Sequence, residues 1–272
     1  MKNIIIPVDF SKQSEFALKA GAIIAQRNKA TLHVLHMLEL SESVFTKTIS
    51  SQTEEMFFML RLAEKKLAEF IERDYLKGID VRPVIKQHKV YKEVDLVAKD
   101  LKADLIIMGS HGLTMQDGLF AGSNAEKMVR NSATPVLIIK REPKEFTLQK
   151  VILATSLTEK SIPAYQKAMN IFSSLGSTVH PVYVNLPGSG FISSKEFFEK
   201  VRNFAASGGT DKVAFIAGHT VEDGLIQYAD EIDADLISVS THARKGLNHF
   251  FNGSISEDLA NHALTPVMTF KL

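Results

Sequence analysis

The sequence predicts an α/β protein: two tandem doubly wound five-stranded parallel sheets, flanked by helices and paired as a pseudo-dimer. Three observations predict it. The chain repeats itself; short continuous apolar runs alternate with stretches of helical period; and each copy ends on an apolar strand that can meet its twin. Continuous apolar strands belong to parallel sheets covered on both faces. Regular strand–helix alternation builds such sheets through crossover connections.

The repeat comes first. KNIIIPVDFS at 2–11 aligns with QKVILATSLT at 149–158, an offset of 147 that also aligns ATLHVLHM (30–37) with STVHPVYV (177–184). Further on the offset falls to 131: Ala103-Asp104-Leu105-Ile106 faces Ala234-Asp235-Leu236-Ile237, and Thr134-Pro135-Val136 faces Thr265-Pro266-Val267. The second copy therefore lacks 16 residues between about 40 and 80. Residues 1–141 and 149–272 are the expected domains, and the polar segment Arg141–Gln149 with Pro143 is the expected linker.

In copy one Ile4–Val8 is a buried strand. Ser11 caps a helix whose Phe16, Ala17, Ala20, Ile23 and Ile24 recur at helical spacing. Thr31–Leu38 is a strand, Gln52 to about Leu76 a long helix, Val81–Ile85 a strand and Tyr91–Leu101 a helix. Leu105–Met108 is the fourth strand, a helix runs from Ser123 to about Asn131, and Pro135–Ile139 closes the unit. Copy two repeats the order with a shorter second helix near Ser194–Ala205. The last strands, TPVLII and TPVMTF, are candidates for pairing across the domains. The run Met56–Leu60 carries more apolar surface than one helix face needs; packing against the sister domain is the commoner cause, and a partner or lid site is the alternative.

Composition narrows the function. With 32 basic and 31 acidic residues the net charge is +1, so no field points to nucleic acid or an acidic membrane surface. There is no cysteine, which excludes disulfides, thiolate metal sites and a cysteine nucleophile. No run approaches a membrane span, and a cytoplasmic protein is the expectation. His33 and His36 lie three apart in a strand, on opposite faces, and the remaining histidines show no metal spacing.

The stretch Leu105–Ser123 carries the chemistry. Strand, glycine loop and helix start place backbone N–H groups and a helix N-terminus together, the arrangement that receives an anion. Gly109 and Gly112 suit a turn with unusual dihedrals and a close backbone approach, while Gly122 and Ser123 open the last helix. Ser123-x-x-Glu126 also reads as a capping box, so the serine has a structural explanation. There is no GxxxxGK[ST] and no cation within 109–123. In a doubly wound sheet the ligand crevice lies outside the carboxyl ends of the strands, and Asp9, Met37 and the loop would border it.

Gly109-x2-Gly112-x9-Gly122-Ser123, after a strand ending IIMG and before a helix closing into TPVLII, resembles the ATP-binding motif of the universal stress protein family. Asp9 in IIIPVDFS and the LHM of the second strand resemble the same family's first two strands. The resemblance spans the chain as two copies and implies an adenine nucleotide alpha hydrolase-like fold. It implies ATP or a related adenine nucleotide in domain one, with Mg2+ on the phosphates. By this resemblance Asp9 would meet the adenine or ribose, Met37 would line the base, and Gly109, Gly112, Gly122 and Ser123 would hold ribose and phosphates, with Pro7, Val8, Met108 and Asn124 also among the cofactor-binding residues. Copy two replaces Asp9 by Ser156, Gly109 by Ser240 and Gly112 by Ala243, keeping only Gly253 and Ser254. One competent site, in domain one, is expected.

The function this implies is a nucleotide-dependent stress-response sensor with little or no hydrolysis. Two alternatives stay open: an adenylating or phosphoryl-transferring enzyme, for which Lys12 and His111 are the nearby candidates, and a nucleotide-free scaffold. A further homodimer and an unidentified protein partner also stay open.

Overall fold

The computed structural model describes residues 1–38, 49–87, 90–110, 123–142, 146–241, 259–260 and 263–271. The first repeat runs β1 (Asn3–Val8), α1 (Lys12–Asn28), β2 (Thr31–Leu38), α2 (Ile49–Ile71), β3 (Val81–Gln87), α3 (Val90–Asp100), β4 (Leu105–Gly109), α4 (Ser123–Asn131) and β5 (Val136–Ile139). The second runs β6 (Lys150–Ala154), α5 (Ile162–Ser174), β7 (Thr178–Asn185), α6 (Ser194–Ala206), β8 (Ala214–Ala217), α7 (Val221–Glu231), β9 (Leu236–Thr241) and β10 (Val267–Lys271).

The two five-stranded sheets fuse into one of ten strands, ordered β3-β2-β1-β4-β5-β10-β9-β6-β7-β8. Neighbours are parallel within each repeat, and β5 meets β10 antiparallel, with Leu137 opposite Met268. The expected pairing of the last strands thus forms the seam. A twofold normal to the sheet maps each face onto itself, so equivalent helices of both repeats share a side. One apolar cluster accordingly runs from Leu18 and Leu67 through Leu137 and Met268 to Phe172 and Phe204, beneath α1, α2, α5 and α6. The opposite face holds two clusters, under α3–α4 and under α7.

The duplication extends to backbone detail. Ile5 lies beside His33 and Ile106, and Ile152 lies beside His180 and Ile237. Left-handed residues recur in equivalent pairs: Phe10 (φ 65) with Leu157 (φ 55), Lys29 (φ 52) with Gly176 (φ 72), and Lys102 (φ 48) with Asp233 (φ 50). Only one of the six is glycine, so tertiary context holds side-chain-bearing residues where they are uncommon. The shared aspartate of the ADLI motif also has a structural task. Asp104 accepts the amides of Lys2 (2.5 Å) and Asn3 (3.0 Å), and Asp235 accepts those of Gln149 (2.8 Å) and Lys150 (2.9 Å). Each carboxylate satisfies the entry of its repeat's first strand.

Two expectations need correction. The linker is not simply a polar tether: Phe146 and Leu148 are buried in the shared core, and Thr147 Oγ1 donates to Asp235 (2.9 Å). Phe57 and Phe58 do not pack against the sister domain, being 59% and 66% exposed. The reason is topological. α2 packs on β2 and β3, at the sheet end farthest from the seam.

Candidate functional site

Strand order reverses between β1 and β4, from which β2 and β3 lie one way and β5 the other. The carboxyl ends of these strands define the crevice of the first repeat. β1 delivers Pro7, Val8 and Asp9 there, β2 delivers Met37, and β4 delivers Met108 and Gly109.

Met37 and Met108 are 7% and 6% exposed and belong to one apolar cluster with Leu35, Ile106 and Ala125 from the first turn of α4. Pro7, two residues beyond Ile5 of that cluster, shares their side of the sheet. The structure thus brings together an apolar wall of Pro7, Met37 and Met108 beside the start of α4. Val8 departs from this group. Its side chain packs on the opposite face, under α1, and its carbonyl accepts from His36 Nδ1 at 2.9 Å.

Asp9 sits at the hinge between β1 and α1. Its Oδ1 accepts from the Ser11 amide (3.1 Å) and from Ser11 Oγ (2.5 Å). Ser11 Oγ in turn accepts from the amide of Ser14, so Ser11 is the N-cap that the sequence predicts. This chain of bonds frames left-handed Phe10, whose ring lies 4.4 Å from that of His36 and 5.5 Å from that of Phe70. Copy two builds the same left-handed turn at Leu157, with Ser156 Oγ and Thr158 Oγ1 3.0 Å apart. The turn therefore forms without a carboxylate.

Gly109 is required for a reason other than dihedral freedom. A Cβ there would lie 2.6 Å from the backbone carbon and oxygen of Gln13, in the first turn of α1. The glycine lets that helix cross the end of β4, and its φ is not in the left-handed region. Copy two carries Ser240 at this place, and its helix starts differently: α5 opens at Ile162 after a short 3-10 turn at Glu159–Ser161, whereas α1 opens at Lys12, the equivalent of Glu159.

Ser123 is the first residue of α4 and Asn124 the second, partly exposed. Gly112, Gly122 and His111 lie outside the described residues, as do Ala243, Gly253 and Ser254. Lys12 is exposed on the first turn of α1. Sequence reasoning missed Ser110, which follows Gly109, is 1% exposed and donates its amide to Ile139 O (3.1 Å). A serine after a glycine carries no local signal; only its burial at the strand end singles it out.

Away from the crevice, His33 lies 3.2 Å from Asn3 Oδ1. Burial, with the Arg82 guanidinium, holds its imidazole below the ordinary value, against the pull of Asp80. Among the described residues no His, Asp or Glu cluster has metal-binding geometry, and no helix is long and apolar enough to cross a membrane.

The residues present would fit an adenine nucleotide: apolar Pro7, Met37 and Met108 for a base, the Asp9 carboxylate at the end of β1, and the start of α4 for anionic oxygens. Comparison with known proteins points the same way for the family. The profile described as "Universal stress protein family" matches residues 1–140 and again 147–271. A universal stress protein of Methanocaldococcus jannaschii is 30% identical over 155 residues, covering 52% of this chain and 96% of its own length. In fold, a crystal structure of a universal stress protein from Archaeoglobus fulgidus superposes with a TM-score of 0.74 at 20% identity, covering 99% of this chain and 98% of the other. A functionally unknown protein from Pseudomonas aeruginosa superposes at 0.66 and 19% identity, covering 100% and 92%. The chain belongs to the universal stress protein family, with two copies of the family's domain in tandem.

Proposed function

We propose that this chain binds ATP, or a closely related adenine nucleotide, in its first repeat and serves as a nucleotide-dependent sensor in stress response. In this reading Pro7, Met37 and Met108 flank the base. Asp9 accepts from ribose or base, with Val8 contributing main chain only. Gly109, Gly112, Gly122, Ser123 and Asn124 surround ribose and phosphates. A bound Mg2+ would neutralise phosphate charge; the protein's own part is to hold the nucleotide.

One observation carries the reading. Both repeats make the left-handed turn after their first strand, but only the first places a carboxylate on it. Asp9 braces the Ser11 cap of α1 and also places, at the switch point where such sheets take ligands, a carboxylate that the second repeat lacks. Slow turnover follows from composition: no cation lies within 109–123 to stabilise a transferring phosphoryl group.

The test is calorimetric titration with MgATP of the wild-type chain and of Asp9→Ser, which copies the second repeat. One nucleotide per chain is expected, with affinity falling about ten-fold or more in D9S at little cost in melting temperature, as for loss of a hydrogen-bonded acceptor. Two equivalent sites, no binding, or wild-type affinity in D9S would each overturn the reading. Sustained release of phosphate or AMP would replace the sensor by an enzyme.

A further inference from the structure

The second repeat has lost the aspartate and glycines yet keeps its fold, and its contacts with the first repeat suggest what it does. α4, whose N-terminus borders the crevice, ends at Asn131. The last carbonyls of a helix lack intrahelical partners and carry the negative end of its dipole. Here a lysine of the second repeat partners the last of them, and a second lysine reaches the turn just beyond the helix. Lys271, at the end of β10, donates Nζ to Asn131 O at 2.8 Å, and Lys167 of α5 donates to Ala133 O at 3.4 Å. The first repeat adds its own brace on the same turn, where the Ser132 hydroxyl lies 3.2 Å from Asp95 of α3.

Lys140, the pseudo-symmetric equivalent of Lys271, reaches Leu259 O of the second repeat at 3.4 Å. Position 20, equivalent to Lys167, is Ala20, buried in the core.

We infer that the second repeat acts as a clamp on α4, with Lys271 as the principal positioning residue and Lys167 in support, and that this clamp sets the nucleotide affinity of the first repeat. The inference rests on the nucleotide reading above. α4 has nine residues, about 13 Å of rigid rod. Fixing its C-terminal end fixes the direction in which its first N–H groups point. Releasing that end lets the donors wander and raises the ordering cost of binding an anion. The same link runs backwards: a nucleotide that orders α4 tightens the seam at β10, which gives the second repeat a way to report occupancy.

The experiment compares Lys271→Met, Lys271→Arg and Lys140→Met. MgATP affinity is measured by calorimetry, and amide hydrogen exchange of residues 124–131 without nucleotide. K271M should bind MgATP about five-fold or more weakly and exchange α4 amides faster. K271R, which keeps the donor, should restore both. K140M, which removes a lysine of the same chemistry from the other side of the seam, should leave affinity and α4 exchange unchanged. Wild-type affinity in K271M overturns the clamp while leaving the nucleotide reading intact. Equal loss in K140M also overturns it, since that pattern reports general weakening of the seam. If the wild-type chain binds no nucleotide, the nucleotide reading falls and the inference with it.

Discussion

Gly109→Ala separates packing from ligand binding at the glycine loop. The added methyl would sit 2.6 Å from Gln13 C and O and 2.8 Å from its Cβ. Two of the three are backbone, so no rotamer change relieves the contact, and α1 would have to lift off β4. The helix has little room to do so. Farther along it, Gly21 faces Ile6 so closely that a Cβ there would lie 2.4 Å from Ile6 Cδ1, and Ala17, Leu18 and Ala20 are fully buried beneath the same helix. Inserting a methyl into a seated interface costs about 1–3 kcal/mol. For a chain of this size that is roughly a 2–10 °C drop in melting temperature. The assay is urea unfolding followed by far-ultraviolet circular dichroism, where the midpoint should fall at unchanged slope. Ser240→Gly, the reciprocal change, should cost no more than about 1 kcal/mol, the entropy of the freed backbone alone. A G109A chain with wild-type midpoint would refute the packing argument. The glycine would then be reserved for the ligand, and the loss should appear only in nucleotide titration.

Three further outcomes follow from the core and the strand entries. Asp104→Ala strands the amides of Lys2 and Asn3 and should cost about 1–3 kcal/mol in thermal unfolding, with D235A behaving alike; no change in either would show that water replaces the carboxylate freely. Ser238 is fully buried and its hydroxyl has no hydrogen-bond partner, so Ser238→Ala should raise the unfolding free energy by about 1 kcal/mol, read as a higher urea midpoint, and a lowered midpoint would mean the hydroxyl is bonded in solution. Burial pushes the Lys140 ammonium from 10.5 to about 8, with Glu222 pulling the other way. Between about 8 and 10.5 the unfolded chain thus holds a proton that the folded chain lacks. This group makes stability rise with pH through that window, from a level at which the buried charge is a burden below pH 8. K140M should therefore flatten the rise, and parallel pH–stability curves for wild type and K140M would contradict it.

The sequence by itself determined the duplication, the order of elements and the fold class. These rest on short continuous apolar runs, a period of 3.6 residues and self-similarity. The Ser11 cap and the bounds of α4 and α6 were readable to within a residue or two for the same reason. It also pointed to the carboxyl ends of the first, second and fourth strands as the place to look for a ligand, because crossover connections gather those ends on one side of the sheet. The tertiary structure decided what depends on residues far apart in the chain. Gly109 is needed for Gln13, 96 positions earlier, rather than for its own dihedrals. Asp104 holds the first strand's entry 101 residues before it. Phe146 and Leu148 make the linker part of the core, and Phe57 and Phe58 are exposed because the seam lies at the far end of the sheet. The bond from Lys271 Nζ to Asn131 O, at the end of α4, spans 140 residues. None of these leaves a local trace, because neither propensity nor periodicity records which distant backbone will pass within van der Waals reach.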